Sequence, residues 1–356
     1  MRREDHYVAL DGMRGLAAIS VLFLHLGYWQ QQPILAGNAG LAVDFFFTLS
    51  GYVLACAYGS KLEASMSPWK FFVLRLIRLM PLIVLGTLIS GAYLVARIYW
   101  LNDTDILLED VFVASVLGVL CVPMFSAAIP IGGPHVFPLN PPQYTLFLEL
   151  LINCLWAAVR PSRRFGLALV LTVTGYSLSA AYGMGGDTVQ TFWTGFPRVL
   201  GAYYAGTLIF YAQNKSSVFS DMRWGRCFWP LLFMTFILFW WPDTLTHWMR
   251  WGWSLVFAPL LVLTGSRVQL KGSKRRIALL LGELSYPIYA LHYPIFVWVN
   301  AAYQTVLQRK DFSIGSMLVL PLVLVGAWLA LKWVDLPVRV SVTARIFGRR
   351  VRRSAT

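Results

Sequence analysis

A chain of 356 residues that is 58% hydrophobic and only 13% charged, with a mean hydropathy of +0.61, carries more apolar surface than one water-soluble core of that length can hide. An ordinary soluble enzyme is excluded. The net charge of +14 would suggest nucleic acid in a soluble chain, but in a membrane protein cations collect in cytoplasmic loops and meet anionic headgroups. The expected partner is therefore the lipid bilayer, and no nucleic acid is expected. Cys56, Cys121, Cys154 and Cys227 stand in or beside apolar runs without a CxxC spacing, so neither a metal site nor a disulfide framework is signalled.

Apolar runs of about 17 to 25 residues, enough to cross about 30 Å of hydrocarbon as helices, fall at 9–29, 40–58, 72–96, 111–129, 144–159, 165–182, 196–212, 228–241, 251–265, 277–301 and 314–334. The first opens after Arg2 and Arg3 like an export signal, yet Arg14 inside its apolar region argues for a helix that is retained. If every run crossed, the termini would lie on opposite sides. Arg2 and Arg3 at one end, and Arg345, Arg349, Arg350, Arg352 and Arg353 at the other, both favour the cytoplasm. One run must then fail to cross. Leaving out 111–129 brings the loop of Arg160, Arg163 and Arg164, that of Lys215, Arg223 and Arg226, and that from Arg267 to Arg276 together in the cytoplasm. The acidic loops around Asp103, Asp105, Glu109 and Asp110, around Asp187 and around Asp243 then lie outside. Segment 111–129 contains Pro123 and leads into the Pro/Gly-rich stretch 130–142, so it is expected to be re-entrant or interfacial and packed in protein.

The expected fold is all-α: a polytopic membrane helix bundle of about ten transmembrane helices plus segment 111–129, with both termini cytoplasmic. Residues 1–340 form the membrane domain and 341–356 a basic cytoplasmic tail. The longest loop, 130–143, reads as a connector, which leaves no room for a soluble domain. No internal repeat is evident.

Ionisable groups in lipid are expensive and each is a candidate functional group. Arg14 and His25 share one face of the first helix, about 16 Å apart along the axis. The second run opens with Asp44 and carries Ser50 and Gly51. Arg75 and Arg78 stand at i, i+3 at the start of the third, at the same cytoplasmic depth as Arg14. Three arginines at one mouth suit a ligand bearing several phosphates, since guanidinium binds phosphate through paired, charge-assisted hydrogen bonds. Glu149 follows Tyr144 in the fifth run, and His292 lies in the tenth beside Pro294. A carboxylate from Asp44 or Glu149 in the outer half of the membrane would orient an imidazole at that depth. Each residue also has a plain alternative. Arg14 is then a snorkelling side chain, Arg75 and Arg78 a positive-inside flank, and the histidines hydrogen-bonded packing residues.

Five sequence elements, in order, resemble the acyltransferase-3 family of integral membrane acyltransferases, which includes bacterial O-acetyltransferases of lipopolysaccharide, exopolysaccharide and nodulation factors. The family's arginine and histidine of the first helix fall on Arg14 and His25, within Leu10-Asp11-Gly12-Met13-Arg14-Gly15. Its Phe-Phe-x-x-Ser-Gly signature falls on Phe46, Phe47, Ser50 and Gly51 after Asp44, and its Arg-x-x-Arg-x-x-Pro element on Arg75, Arg78 and Pro81. The Trp-Ser-Leu-x-x-Glu element is partly kept as Tyr144, Thr145, Leu146 and Glu149, and the late Ser-Tyr-x-x-Tyr-x-x-His element falls on Ser285, Tyr286, Tyr289 and His292. The fused extracytoplasmic esterase-like domain of some members is not expected here.

The resemblance implies a multi-pass protein of the bacterial inner membrane that moves an acyl group, most simply acetyl, from cytoplasmic acyl-CoA to a glycan or lipid-linked saccharide outside. Acetyl-CoA is then a co-substrate and no cofactor is bound. Arg14, Arg75 and Arg78 would take the CoA phosphates, and His25 would act as general base or be acylated transiently. Glu149 or Asp44 would orient His25, and Ser50, Tyr144 and His292 are candidates for the acceptor side. The rival reading is a proton-coupled glycan or lipid transporter, in which His25, Glu149 and Asp44 form a proton relay. Consumption of acetyl-CoA on addition of an acceptor separates the two.

Overall fold

The structure, a computed structural model, describes residues 7–29, 35–159, 165–307 and 313–348. Arg2, Arg3, Arg160, Arg163, Arg164 and Arg349 to Arg353, on which the sidedness argument drew, lie outside the described residues. The helices are α1 Val8–Trp29, α2 Ala42–Ala64, α3 Pro68–Trp100, α4 Leu108–Val119, α5 Gln143–Val159, α6 Phe165–Tyr182, α7 Gly195–Lys215, α8 Ser217–Ser220, α9 Phe228–Trp240, α10 His247–Gly252, α11 Ala258–Gly265, α12 Gly272–Leu307, α13 Ser313–Ala330 and α14 Leu336–Phe347. Among the described residues there is no sheet, only an isolated bridge between His135 and Thr188. The protein is an all-α helical membrane protein. Large apolar side chains such as Phe112, Val170, Phe233 and Met317 stand exposed, while Asp44 and His292 are fully buried. Water would disfavour that inside-out arrangement and hydrocarbon favours it.

Five helical segments among the described residues are long and apolar enough to cross a membrane: Val8–Tyr28, Ala39–Ala64, Pro68–Trp100, Phe165–Tyr182 and Met317–Phe347. The run at 111–129 yields only α4, whose 12 residues span about 18 Å, short of the hydrocarbon thickness. Beyond it the chain turns at Cys121, which has a positive φ of 56°. The apolar run at 228–241 is also shorter as a helix than a full crossing, since the 13 residues of α9 reach only about 20 Å. Helix α14 runs from Leu336 to Phe347, across residue 340.

The chain divides into two compact units. The first comprises residues 1–71, 151–185 and 193–286. In it α1 crosses the start of α12 on glycines: a Cβ on Gly15 would lie 2.5 Å from the Leu281 carbonyl oxygen, and one on Gly282 would lie 2.6 Å from the Asp11 Cβ. Helices α2 and α7 touch in the same manner, with Gly51 against the Tyr203 carbonyl and Gly206 against that of Thr48, each 1.9 Å from an added Cβ. Close backbone approach of this kind is how helices associate where lipid removes the hydrophobic incentive to pack. Around the seams sit Tyr52, Trp156, Tyr203 and Tyr204, all buried. Gly15→Val is expected to force α1 and α12 apart and destabilise the fold by about 1 to 3 kcal/mol or more. A lower unfolding temperature in detergent micelles would show it.

The second unit comprises residues 72–150, 186–192 and 287–356. Here α4 buries Val111, Ala114 and Gly118 at helical spacing and leaves Phe112, Val113 and Val116 exposed. Its buried face joins Leu94, Ile106, Met124, Ile131 and Leu139 in one cluster. The stretch 130–142, expected to be a mere connector, is instead built into the unit, with Val136, Phe137, Leu139 and Asn140 buried. Asn140 explains why. Pro294 in α12 has no N–H to give the Ala290 carbonyl one turn earlier, and Asn140 Nδ2 donates to that carbonyl at 3.1 Å. Gln143 anchors the other side, its Nε2 donating to the Gly118 carbonyl at 2.7 Å.

The sidedness inferred from charge is open to direct test. In a variant with native cysteines replaced, Asp105→Cys is expected to react with an impermeant maleimide on intact cells, and Arg275→Cys only after permeabilisation. Both positions are exposed, so accessibility within the protein does not confuse the result.

Candidate active site

In the first unit, both ionisable groups on the α1 face expected to carry chemistry are held in place. Arg14 Nε donates to Ser285 Oγ at 2.8 Å, and its Nη2 donates to the Gly282 carbonyl at 2.8 Å. Asp11 Oδ1 lies 3.2 Å from the same Nη2. The guanidinium therefore does not snorkel. It joins the first-helix element to Ser285 of the late element, and the glycine crossing of α1 and α12 brings them within reach. His25 Nδ1 lies 3.0 Å from the Val21 carbonyl oxygen one turn earlier. A carbonyl only accepts, so this bond needs the proton on Nδ1 and leaves the lone pair of the neutral ring on Nε2. The helix's own backbone thus takes part in fixing the ring.

Asp44 at the start of α2 is fully buried and its charge is answered by Arg198. Arg198 Nε donates to Oδ1 at 2.9 Å and Nη2 to Oδ2 at 2.8 Å, a two-pronged pair. The same guanidinium donates to the carbonyls of Met184 at 3.0 Å and Gly40 at 3.2 Å. Asp44, a candidate partner for His25, anchors a four-bond knot that joins the starts of α2 and α7 to the turn after α6. Arg198 was missed, although an arginine near the start of an apolar run was the available signal. Ser50, one residue before the glycine that lets α2 and α7 touch, is half-buried.

In the second unit, Arg75 and Arg78 share one face of α3 but meet different acids. Arg75 Nη2 donates to Glu149 Oε1 at 2.6 Å, so Glu149, expected farther out in the membrane, stands at the depth of Arg75, while Arg78 Nη1 donates to Asp335 Oδ2 at 3.2 Å. Asp335 was missed because it lies just past the last apolar run. Tyr144 is half-buried at the start of α5, and its neighbour Thr145 shares a 2.8 Å hydrogen bond with the Tyr289 hydroxyl. The partly kept element of α5 and the late element of α12 therefore meet inside this unit. His292 is fully buried, and its Nδ1 lies 2.8 Å from the Tyr289 carbonyl and 3.2 Å from that of Ile288. Like His25, it carries its proton on Nδ1 and its neutral-state lone pair on Nε2.

A helical membrane protein that fixes arginines, acids and histidines inside apolar helices has the make-up of a membrane-embedded enzyme. Its motif order specifies which kind. The chain belongs to the acyltransferase-3 family: that family's model, an acyltransferase domain, matches residues 7–332. A protein of Rhizobium radiobacter described as protein 2 in the picA locus is 31% identical over 188 residues, covering 50% of this chain and 96% of that protein. No solved structure matches. The chain is thus a membrane acyltransferase by family.

Proposed function

We propose that the protein transfers an acyl group, most simply acetyl, from cytoplasmic acyl-CoA to a hydroxyl of a glycan or lipid-linked saccharide at the outer face of the bacterial inner membrane. The observation that carries this reading is the pinning of Arg14 to Gly282 and Ser285 beneath a histidine whose Nδ1 bonds its own helix. A snorkelling cation would not need the tie to α12. Neutral His25 Nε2 takes the proton of the acceptor hydroxyl as its oxygen attacks the thioester carbonyl. The carbon–sulfur bond then breaks, and the imidazolium returns the proton to the leaving CoA thiolate. Transient acylation of His25 is the variant of this route in which the ring nitrogen attacks first.

Arg14, Arg75 and Arg78 take the CoA phosphates in this reading. Glu149 positions Arg75, and Ser50, Tyr144 and His292 serve the acceptor side. Arg75→Ala and Arg78→Ala are each expected to weaken acetyl-CoA binding by about 1.5 to 3 kcal/mol, the worth of a lost charged hydrogen bond. Titration calorimetry on the purified variants measures this. The function itself is tested by supplying labelled acetyl-CoA to purified protein with membrane glycan fractions. Ester-linked acetate should appear on a glycan and free CoA should accumulate only when the acceptor is present. Binding without transfer to any fraction, together with unchanged glycan acetate in cells lacking the gene, would sink the proposal.

A further inference from the structure

We propose that the cleft between α4 and residues 136–143 binds the acceptor, that the acceptor is a saccharide carried on a lipid chain, and that a hydroxyl at the head of that chain donates to Asn140 Oδ1. The assignment rests on the transfer reaction proposed above. The cleft lies within the second unit, and no residue that lines it belongs to the five sequence elements.

Glycines hold the walls in place. An added Cβ on Gly118 of α4 would lie 2.8 Å from Thr87 Cγ2, and one on Gly91 of α3 would lie 2.8 Å from Ser115 Oγ, so α4 rests directly against α3. Gln143 spans the same contact, its Nε2 donating to the Gly118 carbonyl at 2.7 Å and its Oε1 accepting from Thr87 Oγ1 at 3.4 Å. What remains between α4 and the buried stretch after it is a cleft of about 190 Å³, counted to its open mouth. Ala114 and Leu117 line it from α4, and Val122, Met124, Phe137 and Asn140 line it from the chain beyond. Val122 is also 43% exposed, and Phe112, Val116 and Leu120 of the same segment are exposed as well. The mouth therefore opens among side chains that hydrocarbon favours and water does not. On the sidedness inferred from charge this is the outer half of the membrane, where the acceptor arrives.

The polar groups of the lining then select the occupant. Both ends of the Gln143 amide are engaged within the wall. Asn140 Nδ2 is engaged with the Ala290 carbonyl at 3.1 Å, which fixes the carboxamide and leaves Oδ1 buried with no hydrogen-bond partner among the described residues. A buried acceptor left unmet is costly, so the cleft calls for hydrocarbon and one donor. A free saccharide would bring several hydroxyls into walls that answer one, and each of the others would lose its water without return. A chain with no donor would leave Asn140 Oδ1 open. A chain joined to a sugar meets both demands. The cleft holds roughly six times the volume of one water in the liquid, room for a short length of chain with the sugar outside. The grip of Asn140 on Ala290 falls between Tyr289 and His292, and Thr145 bonds the Tyr289 hydroxyl. The cleft thus adjoins Tyr144 and His292, the residues assigned to the acceptor side.

The test uses the full-length protein in nanodiscs with an alkyl glucoside that carries a photoreactive diazirine at the end of its chain. Label is expected within residues 114–139, and excess unlabelled alkyl glucoside should displace it while free glucose should not. The same probe with every hydroxyl methylated should label the segment about twofold to tenfold less, the worth of one hydrogen bond. Val122→Trp closes the mouth from an exposed position and should lower labelling by a similar factor while the Kd for acetyl-CoA stays at the parent's value. Should that variant fail to fold, Leu117→Phe narrows the cleft from α4 and should act in the same way. Label spread evenly over exposed positions such as Phe112 and Ile129, and not displaced by the glucoside, would show bulk lipid and overturn the assignment. Displacement by free glucose overturns the lipid-borne acceptor, and equal labelling by the methylated probe overturns the role of Asn140. A protein that transfers acetate to a glycolipid with the same acceptor KM in the parent and in Val122→Trp overturns the cleft alone. Displaceable labelling of a protein that never consumes acetyl-CoA overturns the transfer reaction and upholds the cleft as a glycolipid site.

Discussion

His25→Ala is expected to lower acetyl transfer by about a hundredfold to ten-thousandfold, the range supplied by a positioned general base, while acetyl-CoA still binds as in the parent. The expectation follows from the bond the ring makes to its own helix. Nδ1 donates to the Val21 carbonyl, which leaves Nε2 as the basic atom and spends none of the ring on phosphate. His25→Asn keeps a donor near the position of Nδ1 but has no base at Nε2, so it should behave like the alanine variant in turnover. Single-turnover transfer and equilibrium donor binding measure the two effects separately. A His25→Ala variant that lost donor binding but transferred residual acetate normally at saturation would invert the roles given to His25 and the arginines.

The second large effect belongs to stability. Arg198→Ala leaves the Asp44 carboxyl fully buried and without its guanidinium, and the carbonyls of Gly40 and Met184 lose their donor as well. Breaking a buried pair by removing one partner is expected to cost about 3 to 5 kcal/mol. Asp44→Ala strands the guanidinium and should be comparably damaging. Removing both charges is different, since apolar groups of similar volume commonly replace a buried pair at little loss. The double variant Asp44→Leu, Arg198→Met should therefore unfold nearer the parent temperature than either single variant. Thermal unfolding in detergent decides it, and single variants as stable as the parent would show that the knot holds nothing. The same comparison asks what Asp44 does for catalysis. If the double variant folds and still transfers acetate, the acid's work is to hold the starts of α2 and α7 together, not to serve His25.

Much of this was legible along the chain because it is local. The length of an apolar run, the spacing of Arg14 and His25, and the positions of the family's motif residues are properties of neighbouring positions, so the helical membrane fold and the identity of the candidate residues followed from residue order. What only the tertiary structure decided is who meets whom. Asp44 takes an arginine 154 residues away, and Arg78 takes an acid 257 residues away. Arg14 reaches α12 because glycines at 15 and 282 let two backbones touch. The stretch 130–142 looked like a linker from its prolines and glycines. It is buried because Pro294, far along the chain, leaves a carbonyl that Asn140 satisfies. In a medium without water every charge and every open backbone group must find a partner within the protein. The sequence states how many such groups there are, but the choice of partner is made by the crossing of helices, and that is set only when the whole bundle packs.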